Sequence, residues 1–375
     1  NGTVAERPGE APGAFLVAPP GLEAALAQEA TEEGFRGAVP GPGGVTIAGG
    51  WAEVWRANLE LRGASRVLAR VASFRALHLA QLDKRARRVA WGELLRPGQA
   101  VRVDAACRAS RIYHAGAAAQ RVEGAIRAAL GPAEAGEEVR VLARIEDDLC
   151  TISLDTSGEL LHRRGQKGAV AKAPMRENLA ALFLRECGFD GREPVVDPMC
   201  GSGTFVIEAA GIAAGLQPGR SRAFAFERFA GFDPAALAAM QREPALPALS
   251  FRFVGCDRDA GAVAAARANA AKAGVEPLTQ FRCQPVSALE RPEGPPGLVI
   301  VNPPYGTRIG ERGPLFALYG ALGAVLRERF AGWRVGIVTT DGGLAKATGL
   351  PFHEPGPPVD HGGLRVRLWR TGPLR

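Results

Sequence analysis

The sequence predicts an α/β fold whose second half is a doubly wound, mainly parallel sheet, preceded by smaller α+β units. Three observations predict it. Short apolar runs alternate with helical stretches from Val195 onward, the order expected for parallel strands joined by crossover helices. The first run ends at Asp197 and leads through a glycine-containing turn into a helix. The second is followed by Asp257, at the strand tip where doubly wound folds bind a nucleotide ribose.

Composition limits the classes of protein to which this chain can belong. Its 375 residues suffice for two or three domains, and a hydrophobic content of 46% supports sizeable cores. The net charge of +7 favours a polyanionic partner. The six cysteines include no C-x-x-C pair and the five histidines are scattered, which argues against a metal site. Because no secretory signal or long apolar run is present, we expect a cytoplasmic protein with no membrane partner. Its oligomeric state is left open.

The first 64 residues divide into a tail and a small folded unit. Residues 1–13 are rich in Gly, Pro and Glu, which predicts disorder. Strands and helices alternate after them, at 15–17, 22–30, 44–47 and 51–59. We therefore expect residues 14–64 to form an α+β unit of the ferredoxin-like kind.

A second α+β unit is predicted from 65 to 156. Its strands are expected at 67–71, 101–105, 139–143 and 149–154, and its helices at 77–89 and 115–130. The cations of the first helix are Lys84, Arg85, Arg87 and Arg88. A charge run on a helix is usually only a solvated face. Here the sign is nearly uniform, with Asp83 as the acid beside the run, which favours contacts with nucleic-acid phosphates.

Residues 157–173 are predicted to be a basic linker between the two halves of the chain. No acidic residue occurs from 160 to 175. The basic residues of this stretch are His162, Arg163, Arg164, Lys167 and Lys172. One interpretation is a flexible connector, and the other is a segment that contacts a nucleic-acid backbone near the reacting nucleotide.

The turn after the first strand of the second half is predicted to hold a ligand. Glycines at 201 and 203 allow close approach to the backbone, and the helix behind them offers free N–H groups. Val206 stands where a dinucleotide-binding motif would have its third glycine, so a compact nucleoside is favoured over a pyrophosphate. The candidate cofactor-binding residues are Asp197, Met199, Cys200, Gly201, Ser202, Gly203, Thr204, Asp257 and Arg258.

A stiff loop, Asn302-Pro303-Pro304-Tyr305, follows the apolar strand predicted at 298–301. Each proline fixes φ and removes a backbone donor. The amide oxygen of Asn302 and a neighbouring carbonyl can accept the two protons of an –NH2 group, while the ring of Tyr305 stacks on a planar substrate. An ordinary proline-rich turn is the alternative interpretation.

Taken in order, these motifs resemble the S-adenosylmethionine-dependent methyltransferases of the Rossmann-like class that modify exocyclic amines. Residues 160–165 and 173–180 are similar to the linker and first catalytic helix of the THUMP-domain RNA methyltransferases. The match is to the bacterial branch that methylates the exocyclic amine of guanine in 23S ribosomal RNA. It covers roughly 15–369 and is weakest in the first sixty residues.

The resemblance implies a THUMP RNA-binding domain over 65–156 and a methyltransferase domain over 174–375, with an insertion at 215–250 whose aromatic residues belong to a core. It assigns the chemistry to Asn302, Pro303 and Tyr305, and RNA contacts to the four cations of the helix at 77–89 and to His162, Arg163 and Arg164. S-adenosylmethionine is the implied cofactor and ribosomal RNA the implied partner. Transfer RNA, adenine in DNA, a protein glutamine amide and a non-catalytic RNA-binding role are the alternatives.

One position departs from the family pattern. Related enzymes often place an Asp after the third strand to accept the adenine amine, and Pro285 stands there in this chain. The side chain of proline cannot accept that hydrogen bond. We therefore expect backbone groups, Gln284 or Ser287 to read the adenine.

Overall fold

The computed structural model describes residues 13–165, 174–305 and 312–375. Residues 1–12 of the predicted tail, Lys167 and Lys172 of the linker, and Gly306 lie outside the described residues. The chain forms two compact units. The first contains residues 13–18, 27–161 and 222–241, and the second contains the remainder of the described chain.

The strands are β1 Gly13–Val17, β2 Val39–Gly41, β3 Gly44–Ile47, β4 Arg66–Arg75, β5 Val101–Arg108, β6 Val139–Glu146, β7 Leu149–Asp155, β8 Val195–Asp197, β9 Phe253–Asp257, β10 Thr279–Cys283, β11 Leu298–Val301, β12 Arg334–Thr339, β13 Val359–His361 and β14 Leu364–Arg370. The α-helices are α1 Glu23–Glu32, α2 Trp51–Glu60, α3 Leu79–Ala86, α4 Trp91–Leu94, α5 Ala115–Leu130, α6 Glu177–Glu186, α7 Thr204–Ala213, α8 Pro234–Met240, α9 Ala260–Lys272, α10 Arg312–Arg329 and α11 Gly342–Ala347.

The first unit is built on one seven-stranded sheet with the order β2-β3-β1-β4-β7-β6-β5. Its pairs are antiparallel except β5 with β6. Strand β1 pairs with β3 on one side and with β4 on the other, for example Leu16 opposite Val67. The regions predicted as separate units at 14–64 and 65–156 therefore share one continuous sheet, because β1 and β4 connect them through main-chain hydrogen bonds.

Residues 222–241 belong to the first unit, although the sequence placed them in the methyltransferase domain over 174–375. The ring of Phe226 stacks on Trp55 with centroids 5.6 Å apart, and its N–H donates to the carbonyl of Thr156. Phe224 and Phe229 are buried as well. Burial of these rings against helix α2 explains why the insertion packs with the N-terminal unit.

The second unit contains a seven-stranded sheet with the order β10-β9-β8-β11-β12-β14-β13. The first five strands run parallel, whereas β14 is antiparallel to β12 and β13 to β14. Helix α10 packs onto this sheet through buried Tyr319, Leu322 and Leu326. The doubly wound, mainly parallel fold is confirmed. Because parallel strands end at one edge, the residues that follow β8, β9 and β11 meet there.

Several boundaries differ from the sequence-based expectation. Helix α3 is shorter than the predicted 77–89, since it begins after His78, whose Nδ1 accepts the N–H of Gln81, and ends with Arg87 as its C-cap. The three-residue strands β2 and β13 carry too little periodicity to be predicted. Within the described residues, no helix is long and apolar enough to cross a membrane.

Candidate active site

Three strand ends of the second unit form the core of the site. Asp197, the last residue of β8, accepts the N–H of Met199 through Oδ1 at 3.0 Å. Asp257, the last residue of β9, accepts the N–H of Gly201 through Oδ2 at 3.0 Å. The N–H of Cys200 donates to the carbonyl of Cys256. The turn predicted to bind a cofactor is therefore fixed from both sides by two carboxylates and one strand.

The two glycines of this turn serve different purposes. Gly203 has φ +88°, and a Cβ there would lie 3.0 Å from Ala266 and 3.1 Å from Phe281, so it permits helix α7 to pack closely against α9 and β10. Gly201 has φ +53° and open space where a side chain would point. A left-handed backbone at both positions favours glycine. The open side at Gly201 allows a ligand to approach the main chain.

The electrostatics of the turn suit a cationic ligand. Asp197 is buried, and burial raises the pKa of its carboxyl group to about 8, with a smaller contribution from the negative charge of Asp257. Ionising Asp197 in this setting is costly without a nearby positive charge. An ammonium group in the turn would lower that cost. The carboxylate of Asp257 is partly exposed, so hydroxyl groups of a ligand can reach it. The remaining predicted members of the set differ in exposure, Cys200 and Ser202 being buried and Arg258 exposed.

Asn302 follows β11 at the same sheet edge and carries an unsatisfied acceptor. Its Oδ1 is enclosed and has no hydrogen-bond partner among the described residues. Burial raises the pKa of Tyr305 to about 12, and a hydrogen bond from the Asn302 side chain opposes that rise. The amide oxygen of Asn302 is therefore available to accept a hydrogen bond from an N–H group.

Tyr319 holds the loop from Asn302 to Tyr305 in place, and the sequence did not predict this role. Its hydroxyl donates to the carbonyl of Pro304 at 3.2 Å and lies 3.0 Å from Oγ1 of Thr339. Both Tyr319 and Thr339 are fully buried. Because the Tyr319 proton is used by Pro304, Thr339 must donate to Tyr319. The sequence does contain one indication of this role. A tyrosine within the apolar face of α10 is expected to be buried, and a buried hydroxyl requires a hydrogen-bond partner.

Comparisons with known proteins agree with this geometry. Residues 164–351 match the family model described as "RMKL-like, methyltransferase domain", and residues 14–68 match "RlmL ferredoxin-like domain". A Synechocystis sp. protein named "Putative RNA methyltransferase slr0064" is 31% identical over 94% of this chain and 95% of its own length. The chain belongs to the RMKL-like methyltransferase family. The predicted family resemblance and ferredoxin-like unit are thereby confirmed.

Two further similarities define how far the family match extends. "Ribosomal RNA large subunit methyltransferase K/L" of Chromohalobacter salexigens is 37% identical over 90% of this chain. The match covers 49% of that protein, so the chain spans about half the length of relatives of that name. A crystal structure named "SMU.472, a putative methyltransferase complexed with SAH" has a TM-score of 0.85 and 26% identity, covering 98% of this chain and 99% of its own.

Arg164, one of the residues predicted to contact RNA, forms an ion pair within the second unit. Arg164 is partly buried, and its guanidinium nitrogens lie 3.3 Å from the two carboxylate oxygens of Glu208 on α7. Glu177 is close by, and its burial raises the pKa of that carboxyl to about 7. Arg164 therefore has an acidic partner within the unit, and its contact with RNA stays a prediction. His162 is partly exposed and Arg163 exposed, and for them the prediction stands untested.

The basic run on α3 remains a prediction for RNA contact. Lys84, Arg87 and Arg88 are exposed and Arg85 is partly buried. Arg87 pairs with Asp83 at 2.9 Å on the surface. Water screens such an exposed pair strongly, so Arg87 can exchange Asp83 for a phosphate.

How the adenine is recognised near Pro285 stays a prediction. The N–H of Gln284 donates to the carbonyl of Asp257 at 2.9 Å, and its Nε2 lies 3.3 Å from Sγ of Cys256. The main chain of this strand end is therefore tied to the Asp257 strand. Ser287 is exposed on the following 3-10 turn.

Proposed function

We propose that this chain transfers a methyl group from S-adenosylmethionine to the exocyclic amine of a guanine in 23S ribosomal RNA. The observation that carries the proposal is the unpaired Oδ1 of Asn302, at the same sheet edge as the turn held by Asp197 and Asp257. Membership of the RMKL-like methyltransferase family supports the reaction class. The K/L relatives, named for ribosomal RNA, support the substrate. We place the activity in the cytoplasm, where ribosomal RNA is found.

The turn after β8 fits S-adenosylmethionine. Asp257 would hold the ribose hydroxyls, Asp197 the ammonium group, and the open side of Gly201 would admit the nucleoside. The structure named for its complex with SAH supports this cofactor. When bound, S-adenosylmethionine supplies an electrophilic methyl group on a sulfonium. Among the described residues, no group of three or more His, Cys, Asp or Glu is placed to hold a metal ion.

The loop after β11 would orient the amine. The lone pair of a guanine amine is delocalised into the ring, so the nitrogen is a poor nucleophile. Asn302 Oδ1 and the carbonyl of Pro303 can each accept one N–H, which favours a pyramidal nitrogen with its lone pair directed at the reacting centre. Positioning of this kind can supply about 7–11 kcal/mol, and no strong base is needed before transfer. The methylated nitrogen would then lose one proton to water.

Tyr305 would hold the flipped base. Its ring is half-buried and packs against the core that contains Tyr319. One part of the ring thus remains accessible for stacking on a base that has left its helix. Because Asn302 and Tyr305 belong to the same stiff loop, stacking of the base would place its amine beside Oδ1 of Asn302.

Other amines could occupy the same acceptors, including guanine in transfer RNA, adenine in DNA and a protein glutamine amide. All carry two N–H groups on a planar carbon. The name of the Synechocystis relative favours RNA among these.

The decisive experiment assays purified protein on unmodified 23S ribosomal RNA and identifies methylated nucleosides by mass spectrometry. We expect N2-methylguanosine, and methyladenosine instead would contradict the guanine assignment. Asn302→Ala should lower the single-turnover rate by about 10²–10³-fold, as when a transition-state hydrogen bond is lost. S-adenosylmethionine affinity should not change. Asn302→Asp is the matched control, because it keeps an oxygen acceptor and should retain more activity than the alanine variant.

A further inference from the structure

One face of the first unit's sheet packs into the core, and the opposite face carries basic side chains, several of them exposed. The side chains of Leu16, Val67, Val141 and Leu154 are fully buried on one face. Side chains alternate along a strand, so their neighbours in sequence point to the opposite face. That face, here called the open sheet face, is defined by Phe15, Thr46, Arg70, Arg102, Arg140 and Arg144.

Positive charge is in excess on the open sheet face. Asp104 is close to Arg102 and Arg140, and Glu146 pairs with Arg144 at 2.6 Å. Asp155 lies on the same face and pairs with Arg66, and arginines still outnumber the acids of this face. The side chain of Arg144 is 56% exposed. The surface therefore retains charge that can attract an anionic partner.

Arg70 lies at the centre of this excess. Its guanidinium sits over the ring of Phe15, 4.4 Å from the centroid, and donates to Oγ1 of Thr46 at 3.4 Å. Burial lowers its pKa, and the positive charge of Arg144 lowers it further. No acidic group is among the causes of that shift. Two like charges held near each other in a partly dehydrated setting are stabilised when an anion comes between them.

The chemistry of this surface matches an RNA strand. A guanidinium plane stacked on an aromatic ring offers its outer face to a nucleobase. Arg144, two strands away from Arg70, can hold a phosphate. The intervening strand β7 places the small hydroxyl side chains of Thr151 and Ser153 between them, of which Thr151 is partly exposed and Ser153 buried. Flat sheets with exposed aromatic and basic side chains bind single-stranded RNA in this manner.

We propose that the open sheet face binds a single-stranded segment of the RNA substrate, with Arg70 and Arg144 on the phosphates and the Arg70–Phe15 pair stacked on a base. This inference rests on the proposed function for the identity of the RNA. It identifies a surface different from the α3 cations that the sequence singled out, and it assigns no part in methyl transfer to these residues.

The test is a direct measurement of RNA binding, without S-adenosylmethionine and without turnover. Arg70→Gln with Arg144→Gln should weaken binding of a 23S ribosomal RNA fragment by about tenfold and reduce the slope of log affinity against log salt by about 1.4. The matched control removes two charges from exposed positions of α5, Arg121→Gln with Arg127→Gln. It should leave affinity and slope close to those of the unmodified chain.

Two further variants keep the test decisive if Arg70→Gln perturbs folding. Arg70→Lys retains the charge, so the salt slope should persist while affinity falls through lost stacking. Phe15→Leu should also lower affinity without changing the slope. Unchanged affinity and slope in the Arg70/Arg144 variant, with a normal melting temperature, would overturn the proposal, as would a loss confined to variants of α3. If the unmodified chain binds RNA through this face but methylates none, the proposed function fails and the binding surface stands.

Discussion

Replacing Tyr319 with Phe removes one hydroxyl from the support of the Asn302–Tyr305 loop. The hydroxyl donates to the carbonyl of Pro304 and accepts from Thr339, so the substitution breaks both hydrogen bonds and changes little else in shape. Pro304 is exposed, and its carbonyl can turn to water. Thr339 is fully buried, so in the Tyr319→Phe variant its hydroxyl loses the Tyr319 oxygen as acceptor. A buried unsatisfied hydroxyl costs about 1–3 kcal/mol.

The effect on the reaction follows from the two prolines. The carbonyls of Pro303 and Pro304 are connected through φ and ψ of Pro304. The ring of Pro304 fixes φ, so only ψ can rotate one carbonyl relative to the other. Tyr319 fixes the second carbonyl and thereby limits where the first one points. Without it we expect the rate of methyl transfer to fall by about 10- to 100-fold, the cost of a displacement of about 1 Å in a reacting geometry.

Single-turnover rates, calorimetric affinity for S-adenosylmethionine and melting curves measure these effects separately. Thr339→Val is the control, since it should lower stability by a similar amount while Tyr319 still holds the carbonyl of Pro304. That variant should keep most of its rate. Equal rate losses in Tyr319→Phe and Thr339→Val would refute the positioning role, because general destabilisation would then account for both. A normal rate in Tyr319→Phe would refute it as well.

Three other predictions concern the carboxylates. Asp257→Ala should weaken S-adenosylmethionine binding strongly in calorimetry, and unchanged affinity would remove the ribose assignment. Burial raises the pKa of Asp197 to about 8, so at pH 7 cofactor binding should release up to one proton; the number, measured in buffers of different ionisation enthalpy, should fall to near zero in Asp197→Asn. Burial raises the pKa of Glu177 from 4.5 to about 7. The folded state therefore favours the protonated carboxyl group. The contribution of Glu177 to the free energy of unfolding is fully present below pH 4.5 and is lost as the pH rises through about 7. Glu177→Gln should flatten this part of the melting-temperature profile, and an unchanged profile would count against the assignment.

The sequence by itself determined the catalytic half of the fold and its motifs. The turn from Asp197 to Thr204 and the loop from Asn302 to Tyr305 are local features, in which glycine and proline restrict the backbone wherever the chain is placed. Their order along alternating strands and helices places both at the carboxyl edge of a parallel sheet, because crossover connections are right-handed and leave few topologies. The family and the doubly wound architecture were therefore predictable from these residues.

Tertiary structure alone decided which distant segments pair. Strands β1 and β4 join two regions that local periodicity divides at residue 64, and the segment 222–241 packs on α2 of the first unit. The pairing of Arg164 with Glu208 and the contact of Tyr319 with Pro304 likewise join residues far apart or on different elements. Hydrogen bonds and burial depend on which surfaces meet after folding, and a pattern of neighbouring residues does not contain that information. Whether an arginine is a free cation or a buried structural partner is settled only at that stage.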